Sequence, residues 1–371
     1  MLKKAIVNFI VVLILLISLC CGSVYALQKI KIDKILSVGI NKQNNQNEFI
    51  SIEDIKTDDY GNLYVLDSKR QLVLKYDASC NFVKTIGKPS LNITNKEEIK
   101  NKLASIKAGQ IKVNKEYLYN PLKLFLKNDK LYILDLDKVS VYSINGEFIK
   151  NVKLIGLFPR DIHINNNNEI VVAQVLEYSN NIFHVYDENG NLIRSFGDYF
   201  EIPNKYKLLG QNTTISNKQR GFPISIKYFS ETEKLYLMNP FEYEIRVINE
   251  DGIVNNIKNE KNVRYYPPQG ISQPLEGQRE AWAIAYMAAP KILMMNGRIL
   301  VFTPKIINKV NIGCWVEIYN NERREAVSAV DLKSYPACIF GRSINSNEGE
   351  LYCIEIDNGS YFVGKYLIKM L

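Results

Sequence analysis

The chain has 371 residues, 46% of them apolar and 23% charged, which excludes a disordered or fibrous protein and supplies side chains for a large core. Its formal net charge of +8 is spread along the sequence, and the lack of a dense basic run with interleaved aromatics argues against a nucleic-acid partner. Tyrosine (23) and phenylalanine (15) accompany abundant Ile, Val and Asn, the mix expected of many short strands joined by Asn-rich turns.

Residues 1–26 read as an export signal: Lys3 and Lys4 form a basic start, residues 6–19 an apolar run, and Val24-Tyr25-Ala26 a cleavage site. Two alternatives stay open. The apolar run over residues 5–22 is close to the roughly 17–25 residues of a membrane span, so an uncleaved anchor is one. The other is a lipid on Cys20 or Cys21, although each follows Leu19 or Cys20 where a small residue is expected. The expected organisation is a signal peptide or N-terminal anchor at 1–26 and a single domain at 27–371. That domain lies outside the cytoplasm, secreted or envelope-associated, and meets the membrane only through the retained signal or lipid. Loss of the first 26 residues removes two lysines and no acid, leaving a surplus of +6 that suits an anionic wall and equally a solvated surface with Lys-rich turns.

From residue 52 the chain falls into repeats. The segment at 52–87 contains four short apolar runs separated by turns at 58–62, 67–70 and 77–81, rich in Asp, Asn, Ser and Gly. One unit of this size cannot bury both faces and needs neighbours like itself. Its second run, Leu-Tyr-Val-Leu-Asp at 63–67, recurs in form at 131–135, 170–174, 235–239, 299–303 and 351–355. A polar turn precedes each. Another apolar strand precedes that turn, opening in five of six cases with Pro121, Pro159, Pro223, Pro290 or Pro336; the first residue of a strand can do without a ladder donor. Third and fourth strands follow in every repeat except the last, which stops at a third. The missing strand stands at the other end of the chain, where residues 34–39 have the form of 83–87. Pairing residues 34–39 with 362–368 would close a ring and remove two exposed sheet edges. The predicted fold is therefore an all-β, six-bladed β-propeller of four-stranded antiparallel blades, closed by its N-terminal strand, with short helical insertions.

The residues that carry this pattern resemble the NHL-repeat six-bladed propellers. The first repeat matches at Gly61, Asn62, Leu63, Tyr64, Val65, Asp67, Val73, Tyr76, Asp77, Phe82 and Gly87, and the third at Val185, Tyr186, Asp187, Gly190, Leu192, Ile193 and Gly197. Repeats four to six keep only the strand rhythm. The resemblance implies a scaffold, and this scaffold hosts lyases, esterases and plain binding proteins alike.

Spacings between successive second strands are 68, 39, 65, 64 and 52 residues. The excess lies at 88–119, 198–220 and 258–289, between one blade and the next, and at 303–313, a lengthened second-to-third loop. All four emerge on one face of an up-and-down propeller, which marks that face as the functional one. Helical spacing behind Thr94 and across 277–289 predicts short helices in two of the insertions, lying over the channel mouth or packed on the blade below.

The second strands end in Asp67, Asp135, Gln174, Asn239, Thr303 and Glu355, all polar and all toward that face. They read as a ring around the channel that could hold a polar ligand or a hard cation, Ca²⁺ being the ion that oxygens of this kind suit. Equally, each could cap its own turn through nearby N–H groups. Arg160, beside Pro159, offers a cation, and Trp282 and Tyr286, with Tyr265 and Tyr266, offer flat apolar surface for a sugar or a peptide side chain. The histidines are His163 and His184 alone, both in repeat three, and no C-x-x-C spacing occurs. His163 lies between Ile162 and Ile164 and points opposite to them, the pattern of a satisfied sheet histidine. Cys338 and Cys353 fall on adjacent strands of the last repeat and could form a disulfide or remain buried thiols. The functional expectation is a monomeric, non-catalytic envelope module that binds a protein, peptide or cell-wall glycan and requires no cofactor. The rival is a metal-dependent hydrolase or lyase with Asp67, Asp135, Asn239 and Glu355 as ligands.

Overall fold

The computed structural model describes residues 30–39, 49–89, 116–203, 218–219, 221–258, 291–295, 297–307, 310–320, 323–330, 339–345, 347–357 and 360–370. The N-terminal strand is β1 (Ile30–Val38). Blade one contains β2 (Ile52–Thr57), β3 (Leu63–Asp67), β4 (Leu72–Tyr76) and β5 (Phe82–Ile86). A two-residue parallel pair, β6 (Lys88–Pro89) and β7 (Tyr117–Leu118), brackets the first insertion. Blade two follows with β8 (Lys123–Lys127), β9 (Lys130–Leu134), β10 (Lys138–Ser143) and β11 (Phe148–Lys153). Blade three is β12 (Leu157–Ile164), β13 (Ile170–Val175), β14 (Asn181–Tyr186) and β15 (Leu192–Asp198). Blade four is β16 (Ser225–Phe229), β17 (Lys234–Met238), β18 (Glu244–Asn249) and β19 (Gly252–Lys258). Blade five is β20 (Lys291–Met295), β21 (Arg298–Ile307), β22 (Val310–Asn320) and β23 (Arg323–Val330). The last strands are β24 (Ile339–Ser343), β25 (Glu348–Asp357) and β26 (Ser360–Met370).

Among the described residues these strands form six four-stranded antiparallel sheets, each paired in chain order, and the sixth runs β24-β25-β26-β1. The ring is closed as expected. β1 extends further than residues 34–39, running from Ile30 opposite Met370 to Val38 opposite Val363 with a bulge at Ile35. First strands lie innermost: β8 packs against both β2 and β12, β20 against β16 and β24, and β2 against β24. Burial follows position in the blade. The second strand β3 is buried at every residue, whereas the outer strand β5 is exposed except at Ile86. Apolar residues on both faces of the inner strands therefore meet the neighbouring blades, and six core clusters result, one per blade interface.

The turns are built by the residues the sequence singled out. In blade three, Asp187 accepts from the Asn191 N–H at 2.8 Å and from Asn191 Nδ2 at 2.8 Å, with Gly190 between them at φ +90°. Blade one repeats this with Asp77 and Asn81, but Cys80 occupies the glycine position at φ +64°. A Cβ in the left-handed region costs about 1–2 kcal/mol. Cys80→Gly relieves that cost but adds the backbone entropy of glycine and gives up the packing of Cys80 against the core between blades six and one, so the urea midpoint is expected to shift by the equivalent of less than about 1 kcal/mol.

The lengthened second-to-third connection of blade five differs from expectation. Residues 303–313 are mostly strand, because β21 runs to Ile307 and β22 resumes at Val310, with Ile307 opposite Val310. Both predicted helices, at 94–106 and 277–289, lie outside the described residues, as do Cys338, Pro290 and Pro336. Cys314 and Cys353 sit buried in the core between blades five and six.

Candidate functional site

Each first strand begins where the connection from the preceding blade arrives. The starts of these strands surround a cavity of about 530 Å³ at that end of the channel, reached by Ser51, Pro159, Pro223 and Lys291 and completed by Ile354 and Tyr361 of blade six. Its charges come from the inner strands: Glu53, Asp54 and Lys56 on β2, Lys123 on β8, Arg160 and Asp161 on β12, Lys227 on β16 and Lys291 on β20. Of the ligand-binding candidates singled out from sequence that lie among the described residues, Arg160 is found in this lining, together with His163.

Two of the inner strands are bulged where they carry these charges. In β2 the register steps between Ile52 and Asp54, leaving Glu53 unpaired; in β12 it steps between Leu157 and Asp161, across Phe158 at φ +51°, Pro159 and Arg160. A bulge re-aims the side chains beside it. Pro159 is tolerated there because the bulge interrupts the ladder that needs a donor.

Asp54 is buried and connects blades one and two. Lys56 Nζ donates to both of its oxygens at 3.0 and 2.9 Å, the Leu124 N–H donates to Oδ2 at 2.9 Å, and Lys123 Nζ stands 3.9 Å from Oδ1. Burial alone would raise this carboxyl, but Lys56, Lys123 and the Leu124 N–H outweigh it and hold it well below the usual carboxylate range. The neighbouring acids behave oppositely. Burial raises Asp161, offset only in part by Lys123 and Lys56, and the Asp161 carboxylate accepts from the Ile162 N–H at 2.8 Å. Glu53 is raised by desolvation from the surrounding walls, with Lys123 opposing and Asp54 adding to the shift.

The deep end of the cavity is aromatic. His163 stacks on Tyr228 with centroids 4.0 Å apart and planes at 19°, and Phe125 lies 6.4 Å from Tyr228. Burial, with the charge of Lys127 behind it, lowers His163 to about 3, so the ring is a neutral platform at physiological pH. Burial pushes the Tyr228 hydroxyl up to about 12.

The ring of second-strand residues has a different geometry. Asp67 accepts from the N–H groups of Ile50, Ser51 and Arg70 at 2.7, 3.1 and 3.1 Å. Asp135 accepts from Tyr119, Asn120 and Leu136 at 2.7, 2.8 and 2.8 Å. Each thus clasps the segment entering its own blade. Asn239 bonds the Phe241 N–H and Glu244, and Glu355 takes Lys34 Nζ at 2.6 Å and the Tyr366 hydroxyl, tying β1 into blade six. Among the described residues, Gln174 Oε1 and Thr303 Oγ1 have no hydrogen-bond partner, and no group of three or more His, Cys, Asp or Glu is placed to hold a metal ion. Trp282, Tyr286, Tyr265 and Tyr266 lie outside the described residues. Replacing Asp67 with Ala leaves three N–H groups without their acceptor, and a loss of about 2–3 kcal/mol in denaturant unfolding is expected.

No family model matches the chain, and no curated protein sequence matches it. Solved structures do. A member of the DUF4221 family from Bacteroides vulgatus is similar at 11% identity and a TM-score of 0.55, over 93% of this chain and 99% of the other. A Bacteroides fragilis protein provisionally named as exported is similar at 10% identity and a TM-score of 0.52, over 95% and 97%. The likeness is one of fold. Virginiamycin B lyase from Staphylococcus aureus is similar at 11% identity over 92% of this chain and 100% of the other, with a TM-score of 0.47.

Apart from Arg160, the charged residues of the inner strands did not stand out in the sequence. A signal was present: Glu53-Asp54 and Arg160-Asp161 are adjacent charges between apolar residues, a break in strand alternation that a bulge resolves.

Proposed function

We propose that this chain is an exported, non-catalytic binding propeller of the bacterial cell envelope, of NHL-repeat type, that acts as a monomer. It recognises a protein, peptide or glycan on the face where the blade connections enter. The observation that carries this reading is the cavity at that end of the channel, with charged walls over an aromatic floor. A volume of about 530 Å³ lies within the roughly 300–1,000 Å³ of small-molecule sites, so it suits one residue or sugar unit of a larger partner. Export is supported by residues 1–26. The test is co-sedimentation of the purified protein with isolated cell-wall sacculi. Wild type is expected in the pellet and the double variant Lys227→Glu/Lys291→Glu, with an unchanged melting curve, in the supernatant; equal partitioning of the two proteins would overturn the reading.

A second reading, a hydrolase or lyase, draws on the split among the cavity carboxyls. Asp54 is held ionised while Glu53 and Asp161 are pushed toward the protonated form, the division that separates a base from an acid. Release of soluble fragments from sacculi by wild type, abolished in Asp161→Asn, would favour it over binding alone.

A further inference from the structure

The two ends of the ring differ in what they expose. First-to-second and third-to-fourth turns lie at the end opposite the cavity, and most of the exposed large apolar side chains among the described residues gather there. In each of blades one to four the fourth strand carries one near its start, Phe82, Ile149, Ile193 and Ile253, while Tyr60 and Ile344 stand on the first-to-second turns of blades one and six. Single exposed apolar residues are ordinary; a set repeated around one rim is not. The charges on this rim are turned on one another. Lys84 Nζ donates to the Asn145 carbonyl, Lys150 Nζ to Glu188 at 3.0 Å and Arg194 Nε to Glu250 at 2.9 Å, so a cation beside each apolar residue of blades one to three reaches the next blade's turn. Asp77 and Asp187 accept from N–H groups of their own turns.

Residues 1–29 enter the fold at this same end. Ile30 stands opposite Met370, whose N–H donates at 2.9 Å to the Asn347 carbonyl, in the turn that carries Ile344. The apolar run at 5–22 is long enough for a membrane span, and residues 23–29 reach at most about 25 Å when fully extended. A chain that keeps this run in a bilayer is therefore attached at the apolar rim, within reach of the membrane surface.

We propose that the ring itself rests on the lipid bilayer through this rim, with residues 5–22 retained in the membrane and the cavity facing away from it. The contact goes beyond the anchor, and it does not depend on what the cavity binds. A bilayer is the occupant that fits, because a planar surface can meet the outer strands of four blades at once, whereas a peptide needs its apolar contacts side by side in one groove. Aromatic and aliphatic side chains displayed in this way bury into the boundary between headgroups and acyl chains. The ion pairs among Lys150, Glu188, Arg194 and Glu250 lower the cost of bringing the rim's charges to that boundary.

Hydroxyl-radical footprinting of the full chain in nanodiscs of phosphatidylethanolamine and phosphatidylglycerol tests the proposal. Tyr60 and Tyr178 have the same intrinsic reactivity and are 74% and 97% exposed, the first on the apolar rim and the second on the turn between β13 and β14 at the cavity end. Tyr60 is expected to oxidise about fivefold or more slowly than Tyr178 once the rim is seated on lipid. The double variant Ile193→Glu/Ile253→Glu, with an unchanged melting curve, is expected to bring the two rates within about twofold of each other. Comparable rates in wild type, protection unchanged in the folded variant, or protection of Tyr178 in place of Tyr60 would each overturn the contact. Recovery of the protein from its host's medium rather than from its membranes would do the same. The comparison of two tyrosines within wild type keeps the test decisive if the variant does not fold.

Discussion

Removing residues 27–38 is expected to unfold the whole ring in one step rather than to fray one edge. β1 contributes Ile30 to the core between blades five and six and Val38 to the core between blades six and one, so its loss opens both interfaces of the last blade. The Lys34 to Glu355 ion pair at 2.6 Å is lost with it. The backbone of β26, paired along its length with β1, is left as an open edge, and burying Ile30 and Val38 alone is worth about 1.5–3 kcal/mol each. A closed ring passes such a defect on, because blades five and one each lose a neighbour once the sixth loosens and the opening spreads from them around the channel. Circular dichroism melts should show a single transition for the intact protein and none, or one at far lower temperature, for the deletion. A curve that overlays the wild type would sink the closure as a source of stability.

How much was legible in the sequence follows from what each residue answers to. The turns were, because Asp187 to Asn191 and Asp77 to Asn81 bond within five residues, and local chemistry of that kind is written in local sequence. Ring closure was legible from an orphan strand at each end, a counting argument that needs no side-chain geometry. The length of the blade-five hairpin was not, since the pairing of Thr303 with Trp315 and of Ile307 with Val310 joins residues across the hairpin and leaves no local mark in the sequence. The cavity was the hardest to see. Asp67 and Asp135 stood out because they recur at one position of the repeat, yet recurrence is also the mark of a scaffold contact, and each is found clasping three N–H groups. The charges of the inner strands change sign and residue type from blade to blade, Asp54 and Asp161 in blades one and three giving way to Lys291 in blade five, so they show no repeat motif. With Lys123 and Arg160 they come together only when five inner strands are arranged around one axis, and of these charges the sequence offered Arg160 through its neighbour Pro159.

Asp54 and Asp161 face the same cavity and are expected to answer substitution with opposite signs. Asp54→Ala leaves Lys56 and Lys123 without their shared carboxylate and the Leu124 N–H without its acceptor, all in a wall where Asp54 itself is 1% exposed. Breaking a buried pair by removing one partner is worth about 3–5 kcal/mol of destabilisation. The pH dependence has a definite sense. The Asp54 carboxyl is lowered in the folded state, so its contribution is complete above the unfolded value of about 4 and is lost as pH falls below it. The Asp161 carboxyl is raised, so the folded state prefers it protonated and stability declines as pH climbs from about 4 through its folded value. Asp161→Asn should therefore raise the melting temperature at pH 7 and leave it unchanged near pH 3, where both forms are neutral. A charge kept at a loss of stability, beside a bulge that aims it into a cavity, is what a binding or proton-carrying role demands and a purely structural one does not. Melting temperatures of wild type, Asp54→Ala and Asp161→Asn across pH 3–8 decide the matter: destabilisation by both substitutions at pH 7 would make Asp161 a structural partner like Asp54 and remove it from the site.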